Sequence, residues 1–308
     1  MKLRMQDGME LEFYQWLPQT AEVKGIVQLV HGSCEHARRY KQFAEFLNEH
    51  GYIIYANDHR GHGNSVECFE DLGYFGEVAG WQRMVDDLFE LNSFIRKNYP
   101  QLPIVMLGHS MGSFLARHYA IDYGETISGL ILSGTAHNPK SILKFGKSTA
   151  NILRKIQGPK HRSNLINALS YDAFNKPFKH ARTTHEWLSA DPNVVDEFLA
   201  DEACGFVFTT TGFRDMFEGL LYITNQDNIN KMPKDLSVAL ISGQLDPVGA
   251  NGKMVKKAFE AFEEAGLTHI EMKLYPEMRH EILNEIDKQT VYLDVLTYLN
   301  NIQRKKTI

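Results

Sequence analysis

The sequence predicts an α/β fold: a mostly parallel central sheet with helices on both faces, interrupted by an inserted helical segment. Three observations carry that expectation. Short apolar runs, rich in β-branched residues, alternate with longer stretches of helical periodicity. The alternation stops between about residues 135 and 233, where helical periodicity continues without a comparable strand run. One apolar run also leads through a glycine-flanked serine directly into a helical sequence. The 308 residues are 43% hydrophobic and 23% charged with a formal charge of −5, an ordinary globular composition rather than a disordered or fibrous one. A chain this long buries roughly 75% of its unfolded surface, so its core needs no staples. The mildly acidic balance argues against a nucleic-acid partner.

Taken in order, residues 2–17 read as one or two antiparallel edge strands. Gly25 to Val30 (GIVQLV), Tyr52 to Ala56 (YIIYA), Ile104 to Leu107 (IVML), Gly129 to Leu132 (GLIL), Val238 to Ile241 (VALI) and Ile270 to Leu274 (IEMKL) read as buried strands. Helices are expected at about 39–50, 81–98, 111–123, 250–265 and 281–300. Leu88, Leu91, Phe94 and Ile95 mark one apolar face, and Ile282, Ile286, Leu293 and Leu296 another. A segment of nearly a hundred residues is too long for a loop in a compact domain. The expected organisation is therefore a core of residues 1–134 and 234–308 with a helical cap inserted at 135–233. The C-terminal QRKKTI reads as a frayed, solvated end. Cys34, Cys68 and Cys204 are too widely spaced for a disulfide framework or a metal-binding pair. With acidic residues where a leader would be apolar and no run long enough to span a bilayer, a cytoplasmic protein is expected.

The chemistry resides at Gly108-His109-Ser110-Met111-Gly112, a G-x-S-x-G between a strand and a helix, the context of a nucleophile elbow. The flanking glycines suit a turn with no room for Cβ atoms, which holds the serine hydroxyl exposed above the sheet. Such a serine needs a base, and the base needs an orienting acid. The chain order serine, acid, histidine is met by two loops that follow strands: Gly243-Gln244-Leu245-Asp246-Pro247 and Pro276-Glu277-Met278-Arg279-His280. Ser110, Asp246 and His280 are the candidate catalytic residues. Asp246 would hold the imidazole tautomer of His280, which would take the Ser110 proton and return it to the leaving group. The competing structural readings are an Asx turn for Asp246 and a helix cap for His280. An oxyanion hole needs two backbone N–H donors, and Met111 and Ser33 are placed to supply them, with Gly32 permitting close approach.

Together the segments HGSCEH (31–36), NDHRGHGNS (57–65), GHSMGS (108–113), GQLDPVG (243–249) and RHEILNE (279–285) resemble the monoacylglycerol lipase and lysophospholipase family of serine α/β-hydrolases. The resemblance covers residues of about 10–134 and 234–300. It implies an α/β-hydrolase fold, a cap over the active site matching the insert, and cleavage of a single-chain lipid ester. It also implies that Asp58, His59, Arg60 and His62 form a structural loop network rather than a metal site. The family's usual HGxGEH has a small residue where this chain has Cys34, and commonly Ala or Gly where it has Ser33. The pocket here is therefore expected to be bulkier and more polar.

From Thr126 into the insert as far as Tyr171 there is no acidic residue but there are seven basic ones: Lys140, Lys144, Lys147, Arg154, Lys155, Lys160 and Arg162. In residues 141–157, Ile142, Phe145, Ile152, Leu153 and Ile156 share one helical side, opposite Lys144, Lys147, Asn151 and Arg154. The plain reading is a cap helix with its apolar side on the pocket. The alternative is peripheral membrane contact on anionic lipid through about residues 140–162. The insert aromatics Phe174, Phe178, Trp187, Phe198, Phe206, Phe208, Phe213, Phe217 and Tyr222 are candidates to line an acyl tunnel or to form plain core. The expected substrate is a small lipid ester of the monoacylglycerol or lysophospholipid type, cleaved without cofactor or metal. Alternatives on the same residues are a proline iminopeptidase-like peptidase, an acyltransferase, and a ligand-binding relative without turnover.

Overall fold

The computed structural model describes residues 1–20 and 22–306, with side chains through Gln303. The strands are β1 (Lys2–Arg4), β2 (Glu10–Trp16), β3 (Gly25–Val30), β4 (Tyr52–Asn57), β5 (Ile104–His109), β6 (Gly129–Ser133), β7 (Ser237–Gly243) and β8 (Ile270–Tyr275). They form one sheet in the order β1-β2-β4-β3-β5-β6-β7-β8. Pairing is parallel from β4 through β8, while β2 lies antiparallel on β4 and β1 antiparallel on β2. Every residue of β3, β4, β5, β6 and β7 is buried, as expected of strands covered on both faces. β8 departs from that expectation. It is an edge strand with alternating exposure: Ile270, Met272 and Leu274 are half-buried, whereas Glu271 and Lys273 on the other face are exposed.

Two helical layers bury the sheet. On one face, α1 (Lys41–Glu49) and α10 (Lys288–Lys306) contribute Phe43, Leu47, Tyr292, Val295 and Leu299 against Val27, Leu29 and Ile54. On the other, α2 (Gly80–Asn98), α3 (Met111–Tyr123) and α9 (Lys253–Glu264) contribute Leu88, Leu91, Leu115, Val255 and Phe262 against Ile26, Met106 and Leu130. α10 starts later than expected. Ile282 and Ile286 precede it, and Ile286 is exposed, so the four-residue stripe does not lie on one helix. The helix continues through Lys306 into the tail expected to fray; Thr307 and Ile308 lie outside the described residues.

Between β6 and β7 lie α4 (Lys140–Gln157), α5 (Asn164–Ser170), α6 (Pro192–Ala200), α7 (Thr210–Ile223) and α8 (Gln226–Ile229). Their ends are locally encoded. Ser163, Asp191 and Thr209 cap α5, α6 and α7 through side-chain oxygens, Pro192 opens α6, and Gly158 follows α4 at φ 96°. α7 carries Phe213, Met216 and Leu220 into the larger core, and Gly219 sits where a Cβ would collide with the Trp81 ring of α2. α4 packs on α7 through the side opposite the apolar stripe, although Ile142 and Phe145 of that stripe border an apolar cavity as expected. Leu143 and Ala150 are buried, whereas Ile142, Phe145, Ile152 and Ile156 are 58–75% exposed. The basic side is turned towards acidic partners instead, with Lys147 on Glu218 (3.3 Å) and Arg154 on Glu77 (2.5 Å).

The strand order places the site. The chain runs from β3 through α1 to β4 on one side, then crosses back so that β5 pairs with the other side of β3. The crevice at the carboxyl ends of β3 and β5 is the point at which ligands bind in open α/β sheets.

Candidate active site

Ser110 is the single residue between β5 and α3, at φ 53° and ψ −122°. An L-residue holds such a conformation only where its surroundings over-determine it. Here Ser110 N–H donates to Ser133 O (2.9 Å), and Ser110 O accepts from Ser113 N–H (2.8 Å) and Ser113 Oγ (2.6 Å). The flanking glycines are sterically required. A Cβ on Gly112 would strike the Val30 and His31 carbonyl oxygens, and one on Gly108 the Gly112 carbonyl. Ser110 is only 9% exposed, so its hydroxyl faces a cavity beneath the insert rather than open solvent.

Asp246 and His280 come from the loops after β7 and β8, and both are buried. His280 Nδ1 lies 2.9 Å from Asp246 Oδ2, which also accepts from Ser242 Oγ (3.2 Å). Asp246 Oδ1 accepts Val248 N–H (2.8 Å), so the Asx turn and the contact to His280 coexist on one carboxylate. α10 begins eight residues beyond His280, which therefore caps no helix. Burial pushes the imidazole pKa down, but Asp246, then Glu281 and Glu35, more than offset it, leaving the value raised. His280 Nε2 is buried without a hydrogen-bond partner, so a Ser110–His280 hydrogen bond is not formed here. Both residues line one cavity, and such contacts are often loose before substrate binds.

The loop after β3 brings Ser33 beside Ser110. Met111 opens α3, so its N–H has no acceptor within the helix. A Cβ on Gly32 would approach Glu35 Oε1 at 2.7 Å and Ser110 Cβ at 3.2 Å. Cys34 stands at φ 54°, a backbone region that favours glycine, which explains the small residue usual at that position. Asp58, His59, Arg60 and His62 are buried in a structural network: Asp58 accepts from Ala37 N–H, Asn64 N–H and Tyr14 Oη, and Arg60 grips Asp87 at 2.5 and 2.6 Å.

Two cavities meet at the serine. One, of about 430 Å³ and mostly apolar, is lined by Ser110, Met111, Phe114, Leu143, Phe174 and Phe217 among others, and reaches Ile142 and Phe145 on α4. The second is smaller and more polar, with Asn167, Asp172, Thr184, His185 and Glu281 in its walls. Ser33, Ser110, Tyr171 and Trp187 belong to both. Of the aromatic insert residues, Phe174, Trp187 and Phe217 line the apolar cavity, whereas Phe208 and Phe213 are fully buried. A larger depression of about 980 Å³ lies away from Ser110, around Trp16, Arg38 and Glu197.

Residues that the motifs did not single out complete the surroundings. Glu35, Arg39, Tyr40 and Glu281 form a buried charged network beneath the site, and Trp187 lies against His280 with ring centroids 5.1 Å apart. Glu35 and Glu281 lie within the segments HGSCEH and RHEILNE, and Trp187 is among the insert aromatics, so only Arg39 has no signal in the sequence.

A family model described as serine aminopeptidase, S33, matches residues 21–287. A monoacylglycerol lipase of Mycolicibacterium smegmatis is 28% identical over 293 residues, 95% of this chain and 93% of the relative. A monoglyceride lipase of Homo sapiens is 31% identical over 152 residues, 49% of this chain and 48% of the relative. Among solved structures, a highly thermostable carboxyl esterase from Bacillus coagulans in complex with glycerol superposes with a TM-score of 0.91 at 28% identity, covering 98% of each chain.

Proposed function

Because the chain belongs to the serine aminopeptidase S33 family of α/β-hydrolases and is a serine carboxylic ester hydrolase, we propose that it cleaves monoacylglycerol-like esters of single-chain lipids through an acyl-Ser110 intermediate. The observation that carries the substrate class is the junction of two unlike cavities at Ser110. An apolar space of about 430 Å³ suits one acyl chain, and the polar space beside His280 suits a small alcohol.

In this reading the ester carbonyl sits over Ser110 with its oxygen towards the Ser33 and Met111 N–H groups. His280 Nε2 takes the Ser110 Oγ proton as Oγ attacks. Asp246, hydrogen-bonded to Nδ1, keeps the proton on that nitrogen and stabilises the imidazolium. Collapse of the tetrahedral adduct sends the His280 proton to the leaving alcohol. A water, deprotonated by His280, then releases the acid and restores Ser110. Residues 135–233 act as the cap, with α4, α5 and α7 roofing the apolar space.

The outward stripe of α4 supports peripheral membrane contact. Ile142, Phe145, Ile152 and Ile156, with Leu165 and Leu169 of α5, form an exposed apolar surface whose α4–α5 side opens on the acyl cavity. Lys144 and Lys155 flank it, a combination suited to anionic lipid. Among the described residues no helix is long and apolar enough to cross a membrane.

The test is initial rate on p-nitrophenyl esters of increasing chain length, a monoacylglycerol, a lysophospholipid and a prolyl anilide, each with Ser110→Ala beside the parent. Ester cleavage that depends on Ser110 and favours the monoacylglycerol is expected. Preferred cleavage of the anilide, or rates indifferent to Ser110, would sink the reading.

A further inference from the structure

Arg39 occupies a largely enclosed position, its side chain 11% exposed, between two loops that both reach the proposed site. Its guanidinium forks onto Glu281 with Nη1–Oε1 and Nη2–Oε2 at 2.8 Å each, and Nη1 also meets Glu35 Oε2 at 2.5 Å. Glu281 directly follows His280. Glu35 lies in the loop after β3, where its Oε1 accepts Gly32 N–H at 2.5 Å and Tyr40 Oη at 2.7 Å. One guanidinium therefore connects the backbone that presents Ser33 N–H to the backbone that presents His280. We propose that Arg39 is a positioning residue, fixing the Gly32–Ser33 loop and the His280 loop in one register through Glu35 and Glu281. This rests on the active-site reading above.

The chemistry of the network supports that role over plain structural pairing. Three charged groups with this much burial would be replaced at little cost by apolar side chains if stability were their only contribution. Each instead holds a specific backbone. Accepting the Gly32 N–H holds the His31–Gly32 peptide, the unit directly before the one that carries the Ser33 N–H. Glu281 N–H donates to Leu188 O (2.7 Å), and Asn284 Nδ2 donates to Glu281 Oε2 (2.9 Å), so the fork on Arg39 is made by an anchored residue. Burial pushes the Glu281 carboxyl up, but Arg39 outweighs it and holds the value down at about 2, so Glu281 is an anion beside His280.

The groups facing His280 are Asp246, Glu281, Glu35 and the neutral His109, whose ring lies 4.7 Å away and whose pKa burial lowers; Trp187 covers the ring. Removing the Glu281 charge therefore lowers the His280 pKa. The acid limb of kcat/KM, which reports the free enzyme's base, moves to lower pH.

The experiment compares Glu281→Gln and Arg39→Lys with the parent on a short p-nitrophenyl ester. Active sites are counted by fluorophosphonate labelling, and melting temperature is followed alongside. Expected are a kcat per labelled site about 10- to 100-fold lower at similar KM for both variants, and an acid limb displaced to lower pH in Glu281→Gln. A structural role alone would lower melting temperature and the labelled fraction but leave kcat per labelled site where it is; that result overturns the proposal. If Arg39→Lys does not fold, Glu281→Gln decides by kcat per labelled site. Retained esterase activity in Ser110→Ala would instead overturn the active-site reading, and this inference with it.

Discussion

Ser110 holds a backbone conformation that costs energy, and the collisions awaiting a Cβ at Gly108 and Gly112 show why the turn has no alternative residues. Replacing Ser110 by Ala should leave the fold intact and reduce ester turnover by about 10⁴-fold or more, read as steady-state rate with melting temperature as control. Gly32 offers a sharper probe of the backbone donors, which no side-chain deletion reaches. The Cβ of Gly32→Ala would press on Glu35 Oε1 and Ser110 Cβ, turning the Ser33 N–H away from the developing oxyanion. A kcat about 10²-fold lower at similar KM is expected, the scale of losing one such donor. Unchanged kcat would remove Ser33 from the oxyanion hole.

At the scale of elements, α4 shows how one amphipathic pattern can serve two surfaces. The plain expectation puts the apolar stripe on the pocket, and Ile142 and Phe145 do border the acyl cavity. Leu143, Gly146 and Ala150 face inward, and at Gly146 a Cβ would meet the Phe217 ring of α7. The rest of the stripe, Ile152 and Ile156, is left outside. Ile152 and Ile156 lie on that stripe beyond the acyl cavity, so Ile152→Ser with Ile156→Ser separates surface from pocket. The double variant should lose cosedimentation with anionic vesicles and the rate on vesicle-borne monoacylglycerol, while hydrolysis of a soluble short ester stays near the parent. Equal vesicle binding by both proteins would remove α4 from membrane contact.

Across the whole molecule, burial of neutral histidines sets an acid limit on stability. Burial, reinforced by His62, lowers the His59 pKa to about 3, and burial lowers that of His62 to about 4; His31 and His109 are also displaced downward. Below about pH 6.5 the unfolded chain takes up protons that the folded chain refuses, so stability present above that pH is lost as pH falls towards the folded values. For His62 alone the loss is about 3 kcal/mol. Asp87 and Asp215, raised by burial to about 6, act in the opposite direction, gaining in the folded state as pH falls below that value. Glu35, Asp58 and Glu90 are raised by burial as well, but with His137 and His185 also lowered the histidines outnumber these acids, so melting temperature should fall between pH 6.5 and 4.5. A flat profile over that window would contradict the assignment of these rings as neutral.

The order of the strands and of the candidate site residues is legible in the sequence. Continuous apolar runs mark the strands buried on both faces; Ser110 and Asp246 each follow one at a turn, and His280 follows the alternating run of β8. The length of the interruption at 135–233 was equally plain. The tertiary structure alone decided what has no local signature. Which side of α4 packs inward depends on the close approach of α7. The start of α10 beyond Ile286 and the enclosure of Ser110 beneath the insert follow from neighbours distant in sequence. Arg39 is the extreme case: its partners are 4 and 242 positions away, and nothing in local periodicity can distinguish a buried guanidinium that joins two loops from an ordinary surface arginine. Periodicity reports which residues avoid water, whereas the pairing of buried charges is set by where the chain returns in space.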